Sequence, residues 1–245
     1  MSVDSVTERN RKAWNSQRYE AWVQAIGSPV QEAARLRADP AHKLRRLLPH
    51  VGEVRGRRIC NIQGSHGRVA VALGLLGAEV TVIDFAEENR RYALDLANAA
   101  GVAVDYRLAD VMESAALGLQ PFDWLVMELG VLHYHHDLPK FFRTMAELTT
   151  PAGRFVLNEF HPIDRKLHQV GLRDYFASDV VLADVPDPTG SGLSLGTCAY
   201  RYWTLAEIIT AAIDGGWLID RLEEHPHWSD PRSPGTFTLV ATKAR

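Results

Sequence analysis

The chain has 245 residues, 46% of them hydrophobic and 23% charged, with 12 Pro and 18 Gly. That composition excludes wholesale disorder and bounds the molecule at one or two domains. No run of roughly 18 apolar residues occurs, which excludes an ordinary transmembrane helix. Lys plus Arg is 27 against 30 Asp plus Glu, a net charge of −3, a poor balance for a nucleic-acid binder. Residues 1–58 carry 12 Lys/Arg against 6 Asp/Glu, which leaves −9 on the rest. Cys60 and Cys198 are the only cysteines, too few for a disulfide scaffold or a cysteine zinc site. The stretch MSVDSVTERNRKAWNS lacks the apolar segment of a signal peptide, so a cytoplasmic location is expected.

In chain order, residues 6–26 read as one helix, with Trp14, Tyr19, Trp22, Val23 and Ile26 on a stripe and Gly27-Ser28-Pro29 as its stop. Val30–Arg37 reads as a short helix. Pro40 opens a third over Ala41–Leu48, stopped near Pro49. Arg58–Ile62 is a strand, Gly64–Gly67 a turn and Arg68–Leu76 a helix. Glu79–Asp84 is an apolar strand ending on an acid, followed by a helix over Glu87–Ala100. Val102–Arg107 and Phe122–Met127 are strands, Leu138–Leu148 is a helix, Gly153 turns the chain, and Arg154–Glu159 is a fifth strand. Residues 161–202 are rich in Pro and Gly and have no strong periodicity, as in a cap or substrate-side insertion. Thr204 and Glu207 form a capping box for a helix that ends at Gly215-Gly216. Trp217–Glu224 and Thr236–Lys243 follow as a strand pair without an intervening helix, hence antiparallel. The earlier alternation of strands and helices predicts an α/β parallel sheet covered on both faces.

The chemistry-bearing residues fall at the carboxyl ends of these strands. Gln63-Gly64-Ser65-His66-Gly67 lies between a strand and a helix, where backbone N–H groups and a helix N-terminus face a ligand. Asp84 ends the next strand, where an acid accepts from both ribose hydroxyls. Asp110 follows the third strand, placed for the exocyclic amine of adenine, and Glu128 ends the fourth. In open α/β sheets this edge binds ligands. A dinucleotide fingerprint of three glycines and a Gly-Lys-Ser/Thr phosphate loop are both absent.

This pattern resembles the class I S-adenosylmethionine-dependent methyltransferases. Residues 58–159 look like their first five strands, and residues 204–243 like their closing helix and reversed final strand. The family's first motif, Asp/Glu-x-Gly-x-Gly-x-Gly, corresponds to Asn61–Gly67. Asn61 stands for the acid, Gln63 and Ser65 for two glycines, and only Gly67 keeps its place. A narrower resemblance links Asn10–Trp14, Gly64–Gly67, Leu132–Tyr134 and Phe160–Pro162 to bacterial small-molecule methyltransferases. The implied fold is Rossmann-like α/β in three α/β/α layers, a mostly parallel seven-stranded sheet with an antiparallel last strand. One domain is expected, with a helical lid (1–56), a cofactor-binding core (57–159), a substrate-side cap (160–203) and a closing helix and strand pair (204–245).

The resemblance implies S-adenosylmethionine as cofactor, held by Gln63–Gly67, Asp84, Asp110 with Val111, and Glu128 with Leu129. Phe85 would lie against the adenine, and Tyr19 on the lid would bind the methionine carboxylate. His133 and His161 are the candidate bases, and Tyr134, Tyr175 and Trp203 the acceptor contacts. His133-Tyr134-His135-His136-Asp137 invites a metal, but adjacent side chains diverge and no second cluster has ligand spacing, so no metal is expected. The expected activity is methyl transfer to a small molecule by in-line displacement, with no nucleic-acid or membrane partner, and a homodimer is compatible with the exposed elements. A second chemistry on this scaffold is cyclisation of S-adenosylmethionine on itself with release of methylthioadenosine, which the altered Asn61–Gly67 loop brings into view. A third is cofactor binding without catalysis.

Overall fold

The computed structural model describes residues 3–169, 174–192 and 194–244. In chain order it contains α1 (Val3–Trp14), α2 (Arg18–Ile26), α3 (Pro29–Ala38), α4 (Pro40–Lys43), α5 (Leu48–Val51), β1 (Arg58–Ile62), α6 (Arg68–Leu75), β2 (Glu79–Asp84), α7 (Glu87–Ala100) and β3 (Val104–Leu108). There follow β4 (Phe122–Glu128), α8 (Leu138–Glu147), β5 (Thr149–Phe160), β6 (Val180–Asp184), β7 (Thr197–Arg201), α9 (Leu205–Asp214), β8 (Trp217–Pro226) and β9 (Pro234–Lys243). Seven strands form one sheet in the order β3-β2-β1-β4-β5-β9-β8, and β6 pairs with β7. Strands β1, β2 and β3 pair in parallel, as do β4 and β5, whereas β9 runs antiparallel to both β5 and β8. The parallel part is the sheet expected from the alternation, and the whole is the Rossmann-like sheet that the family resemblance implies. The chain forms two compact units, residues up to 114 with 182–199, and residues 115–181 with 200 onward.

In the first unit, β2 is buried at every residue after Glu79, as a parallel strand covered on both faces requires. Helix α7 buries Tyr92, Ala93, Leu96, Ala97 and Ala100 on one stripe, and Gly101 closes it at φ 75. The segment 6–26 is two helices, not one. Gln17 breaks it at φ 51, and the break turns Asn15 towards α7. Asn15 Oδ1 accepts the Glu87 N–H at 2.7 Å, and α7 has no side-chain cap of its own at Ala86. Glu88 answers by accepting the Tyr19 N–H at 3.2 Å. A tertiary cap of this kind satisfies orphan helix donors and has no local sequence signature. The helix expected over Ala41–Leu48 is also two short helices, with Pro49 inside the first turn of α5, where a missing N–H costs nothing.

The same unit ties α1 to β7. Asn10, buried, accepts the Ala199 N–H at 2.9 Å and donates to the Ala199 carbonyl at 3.4 Å, across 189 residues of chain. Gly196 makes this approach feasible: a Cβ there would sit 2.9 Å from Ala13 Cβ. The β6–β7 pair was not evident from residues 161–202, because its sequence is broken by Pro and Gly.

In the second unit, α8 buries Leu138, Phe141, Phe142 and Met145, the i, i+3, i+4, i+7 spacing of an amphipathic helix. Phe155 of β5 and Trp217 of β8 meet this face, and the indole N–H donates to the Phe142 carbonyl at 2.9 Å. The capping box of Thr204 and Glu207 is formed. Gly153 does not end a turn before β5. It lies within a long irregular strand whose register against β4 jumps between Phe122 and Trp124, with Ala152 at φ 59. Both cysteines are buried. No helix among the described residues is long and apolar enough to cross a membrane.

Candidate functional site

The first unit presents the loop between β1 and α6. Gln63, Ser65 and Gly67 take φ of 45, 49 and 76, so alternate residues are left-handed and the chain coils tightly over the end of β1. Two non-glycine residues in that region carry strain of order 1 kcal/mol each, the kind stored at binding sites. Gly64 is required by a contact: a Cβ would fall 2.6 Å from Asn61 Oδ1. Gly67 packs against α7, where a Cβ would meet that of Ala93 at 2.6 Å. Asp84, buried at the end of β2, accepts the Ser65 N–H at 3.0 Å through Oδ2 and the Ala86 N–H at 2.8 Å through Oδ1. Burial pushes its carboxyl up to about 6, against the pull of these donors and of Asn89. Asp110 accepts the Met112 N–H at 2.9 Å through Oδ1 and so starts the 3-10 turn over Val111–Leu117.

Side chains of α2 cover this loop. Trp22 donates to Asn89 Oδ1 at 2.9 Å and packs edge-on against His66, with ring centroids 4.5 Å apart. Burial holds the His66 imidazole well below its usual range, helped by Arg68 and Lys43. Tyr19 gives its hydroxyl proton to Asp95 at 2.8 Å, on the exposed side of α7. Phe85 is half-buried, with the Arg11 guanidinium 5.9 Å from its ring centre.

The second unit contains a small pocket. Phe160, Tyr202 and Trp203 supply aromatic walls, Leu132, Pro162 and Ile208 aliphatic ones, and His133, Glu159 and Arg165 the polar groups. Trp203 is fixed by donating to the His135 carbonyl at 3.0 Å. Arg165 rides on the Phe160 ring at 3.5 Å from a π-helical turn over Asp164–Gln169, a conformation often found at functional positions. His133 stands among the rings of Tyr134, Tyr200 and Tyr202, with centroids 4.4, 5.1 and 5.6 Å away. Burial, then the charge of Arg165, lower its imidazole to about 3, so it is neutral at physiological pH.

Two matches with known proteins bear on this geometry. Residues 62–157 match the model of a methyltransferase domain family. A ubiquinone biosynthesis O-methyltransferase of Azorhizobium caulinodans is 32% identical over 188 residues, 73% of this chain and 70% of that protein. The chain belongs to the class I S-adenosylmethionine-dependent methyltransferases. An enzyme of the same name from Caulobacter sp. is 30% identical over 55% of this chain and 51% of that protein. The chain thus spans about half the length of the first curated relatives it matches. Magnesium protoporphyrin IX methyltransferase from Synechocystis PCC 6803, solved with bound SAM, shares the fold at a TM-score of 0.62 and 18% identity, over 100% of this chain and 98% of that one.

The cofactor of this methyltransferase is S-adenosylmethionine, and the donor set of the first unit fits it. A carboxylate offers about four acceptor positions; Asp84 gives two to backbone N–H groups and one to Asn89 and keeps capacity for a ribose hydroxyl. Asp110 stands two residues past β3, and the Gln63–Gly67 backbone is bent towards the same strand ends. Asn61, buried at the end of β1, has no charge with which to hold an ammonium group.

Among the other expected residues, Glu128 is half-buried at the end of β4, and Leu129 follows at φ 49 with its N–H on the Asn158 carbonyl. His133 and Trp203 both line the pocket, and Tyr134 packs against His133 and Tyr200. His161 and Tyr175 are not among its walls. The buried His161 accepts the Ile163 N–H at Nδ1, and its Nε2 stands 2.7 Å from Glu224 Oε1, at an angle outside the hydrogen-bond range. Nδ1 is therefore spent on the local turn after β5, and Nε2 faces the Glu224 carboxylate of β8. The Tyr175 hydroxyl accepts the Leu205 N–H at 3.0 Å and so caps α9. Among the described residues, no three His, Cys, Asp or Glu side chains are grouped to hold a metal. Sequence reasoning missed Glu159, Arg165 and Ile208. For Glu159 a signal existed: an acid near the end of the apolar run Phe155–Phe160 is costly to bury unless it is saturated with donors.

Proposed function

We propose that this methyltransferase transfers the methyl group of S-adenosylmethionine to a hydroxyl of a small, planar aromatic acceptor. The observation that carries the reading is the pocket of the second unit, walled by Phe160, Tyr202 and Trp203 around the neutral His133. Flat rings favour a flat guest, by stacking and by apolar burial. The names of the relatives, as O-methyltransferases, support oxygen as the attacked atom. S-adenosylmethionine, when bound, supplies an electrophilic methyl on a sulfonium.

In the transfer a C–O bond forms as the C–S bond breaks, and the acceptor oxygen becomes positively charged while it still holds its proton. An imidazole of pKa about 3 is a weak base towards a resting phenol, because general bases work best near the operating pH. It is adequate for the strongly acidic proton of that oxonium. His133 therefore orients the hydroxyl and receives its proton as charge develops. The remaining work is positioning and exclusion of water. The reaction needs no nucleic-acid or membrane partner and suits a cytoplasmic enzyme.

The test is incubation of purified protein with S-adenosylmethionine and matched phenols, catechols, anilines and aliphatic alcohols, with both sulfur products followed by mass spectrometry. S-adenosylhomocysteine formed with the phenolic members is the expected result. Methylthioadenosine formed without any acceptor would replace this reading with self-cyclisation. Turnover of the aliphatic alcohols alone would remove the aromatic acceptor.

A further inference from the structure

Glu159 is 3% exposed, and no cation pairs with it among the described residues. Burying a lone carboxylate is expensive, and here backbone donors compensate. Oε1 accepts the N–H of Gly130 at 2.5 Å and of Phe160 at 2.7 Å; Oε2 accepts those of Val131 at 2.7 Å and Leu132 at 3.0 Å. Four donors fill a carboxylate's usual capacity, and converging backbone N–H groups make an anion-binding nest. The protein supplies its own anion.

The nest begins at a strained residue, Leu129. Leu129 and Gly130 take successive φ of 49 and 82. The Leu129 side chain is 39% exposed, so its burial does little to offset the strain. A Cβ at Gly130 would meet the Phe160 ring at 3.3 Å and His133 Cε1 at 3.8 Å, so the loop is also tightly packed at this point. Its product is the 3-10 turn Leu132–Tyr134, which delivers Leu132 and His133 to the pocket that Glu159 and Phe160 also line.

We propose that Glu159 is a positioning residue: its carboxylate clasps the loop after β4 and thereby sets where His133 stands in the acceptor pocket. This rests on the acceptor reading above, but the clasp itself is tested without turnover. The clasp explains why the strained Leu129 lies close to a candidate proton acceptor, since strain at functional sites persists only where surroundings over-determine it. Glu159 does not touch the reacting atoms; it acts through the backbone.

Two changes on the same strand separate positioning from mere stability. Glu159→Gln keeps the shape but turns an NH2 group towards two of the four donors. Asn158→Ala removes hydrogen bonds to Phe237 and Thr238 of β9 and leaves the clasp alone. In 15N-labelled protein, amide exchange at Gly130, Val131 and Leu132 should quicken at least tenfold in Glu159→Gln relative to Asn158→Ala, and the His133 ring signals should move only in the former. Phenol, titrated as a probe, should bind at least tenfold more weakly to Glu159→Gln and within twofold of wild type to Asn158→Ala. Glu159→Asp, which restores charge on a shorter arm, should recover part of the loss. Unchanged exchange and unmoved His133 signals in Glu159→Gln would overturn the proposal, as would equal losses in the two variants. If wild type neither binds phenol nor methylates any phenol, the acceptor reading fails; the exchange and ring signals still decide the clasp.

Discussion

Each unit holds a loop with a carboxylate from a strand end, and the two carboxylates are used differently. Asp84 takes two backbone N–H donors, from Ser65 and Ala86, and one side-chain donor, Asn89; Glu159 takes four backbone donors, from residues 130–132 and 160. The acid that keeps acceptor capacity is the one proposed for a ribose, and burial raises it to about 6. The saturated acid has no acceptor capacity left and serves as an internal strut. On these proposed roles, the donors left over on a buried acid, more than its burial, distinguish a ligand-binding carboxylate from a shaping one.

The comparison breaks most readily at the glycine that closes the first loop. Gly67→Ala adds a Cβ at φ 76 and 2.6 Å from Ala93; left-handed strain and overpacking together should cost about 2–4 kcal/mol, read by urea unfolding, with cofactor binding lost alongside. Next is Asp84→Asn. Losing a charged acceptor for ribose hydroxyls should weaken S-adenosylhomocysteine binding by roughly 100-fold in calorimetry, and because the amide NH2 faces the N–H of Ser65 or Ala86 the fold should also lose about 1–3 kcal/mol. The pH dependence sharpens this. Hydroxyls donate to the ionised carboxyl, so affinity should rise with pH up to and through about 6, by at most about tenfold per pH unit. Stability of the free protein runs the other way. A folded-state value raised above the unfolded one stabilises at low pH, and that contribution is lost as pH rises through about 6. An affinity that falls over this range would remove Asp84 from the ribose site.

Smaller effects follow outside the carboxylates. Asn10→Ala should cost about 1–2 kcal/mol by freeing both backbone groups of Ala199, seen as a lower melting temperature without a change in cofactor affinity. Tyr19→Phe removes an exposed hydrogen bond to Asp95 and should cost no more than about 0.5 kcal/mol. A tenfold loss of S-adenosylhomocysteine affinity in that variant would return Tyr19 to the lid role that its position in the sequence suggests.

The core strands were legible because their signal is local. Runs such as Glu79–Asp84 are apolar and short, and Gly and Pro bound them, so β2 and α7 match their expected limits. The placement of Asp84 and Asp110 at strand ends was legible for the same reason, since a strand end and the next acid are neighbours in sequence. The rest was set by distant partners. Nothing around Gln17 announces that Asn15 must turn to cap α7. Tyr19 and Trp22 looked like a helix stripe, and the structure spends their polar ends on Asp95 and Asn89. His161 and Tyr175 are residue types that do chemistry, yet the structure spends His161 Nδ1 on the Ile163 N–H and the Tyr175 hydroxyl on the Leu205 N–H. Glu159 carries the opposite lesson: its four partners are backbone groups, which side-chain motifs do not reveal.

The bond from Asn10 to Ala199 has a consequence in time. At a ribosomal rate of roughly 5–20 residues per second, the 189 residues between them take about 10–40 s to make. Over that interval α1 exists without its strand, although it is the first helix of the described chain. The β6–β7 ribbon therefore closes late, after β1 to β5 have been synthesised. A nascent chain stalled before residue 199 should leave its first helix open to protease while the strands already made are protected.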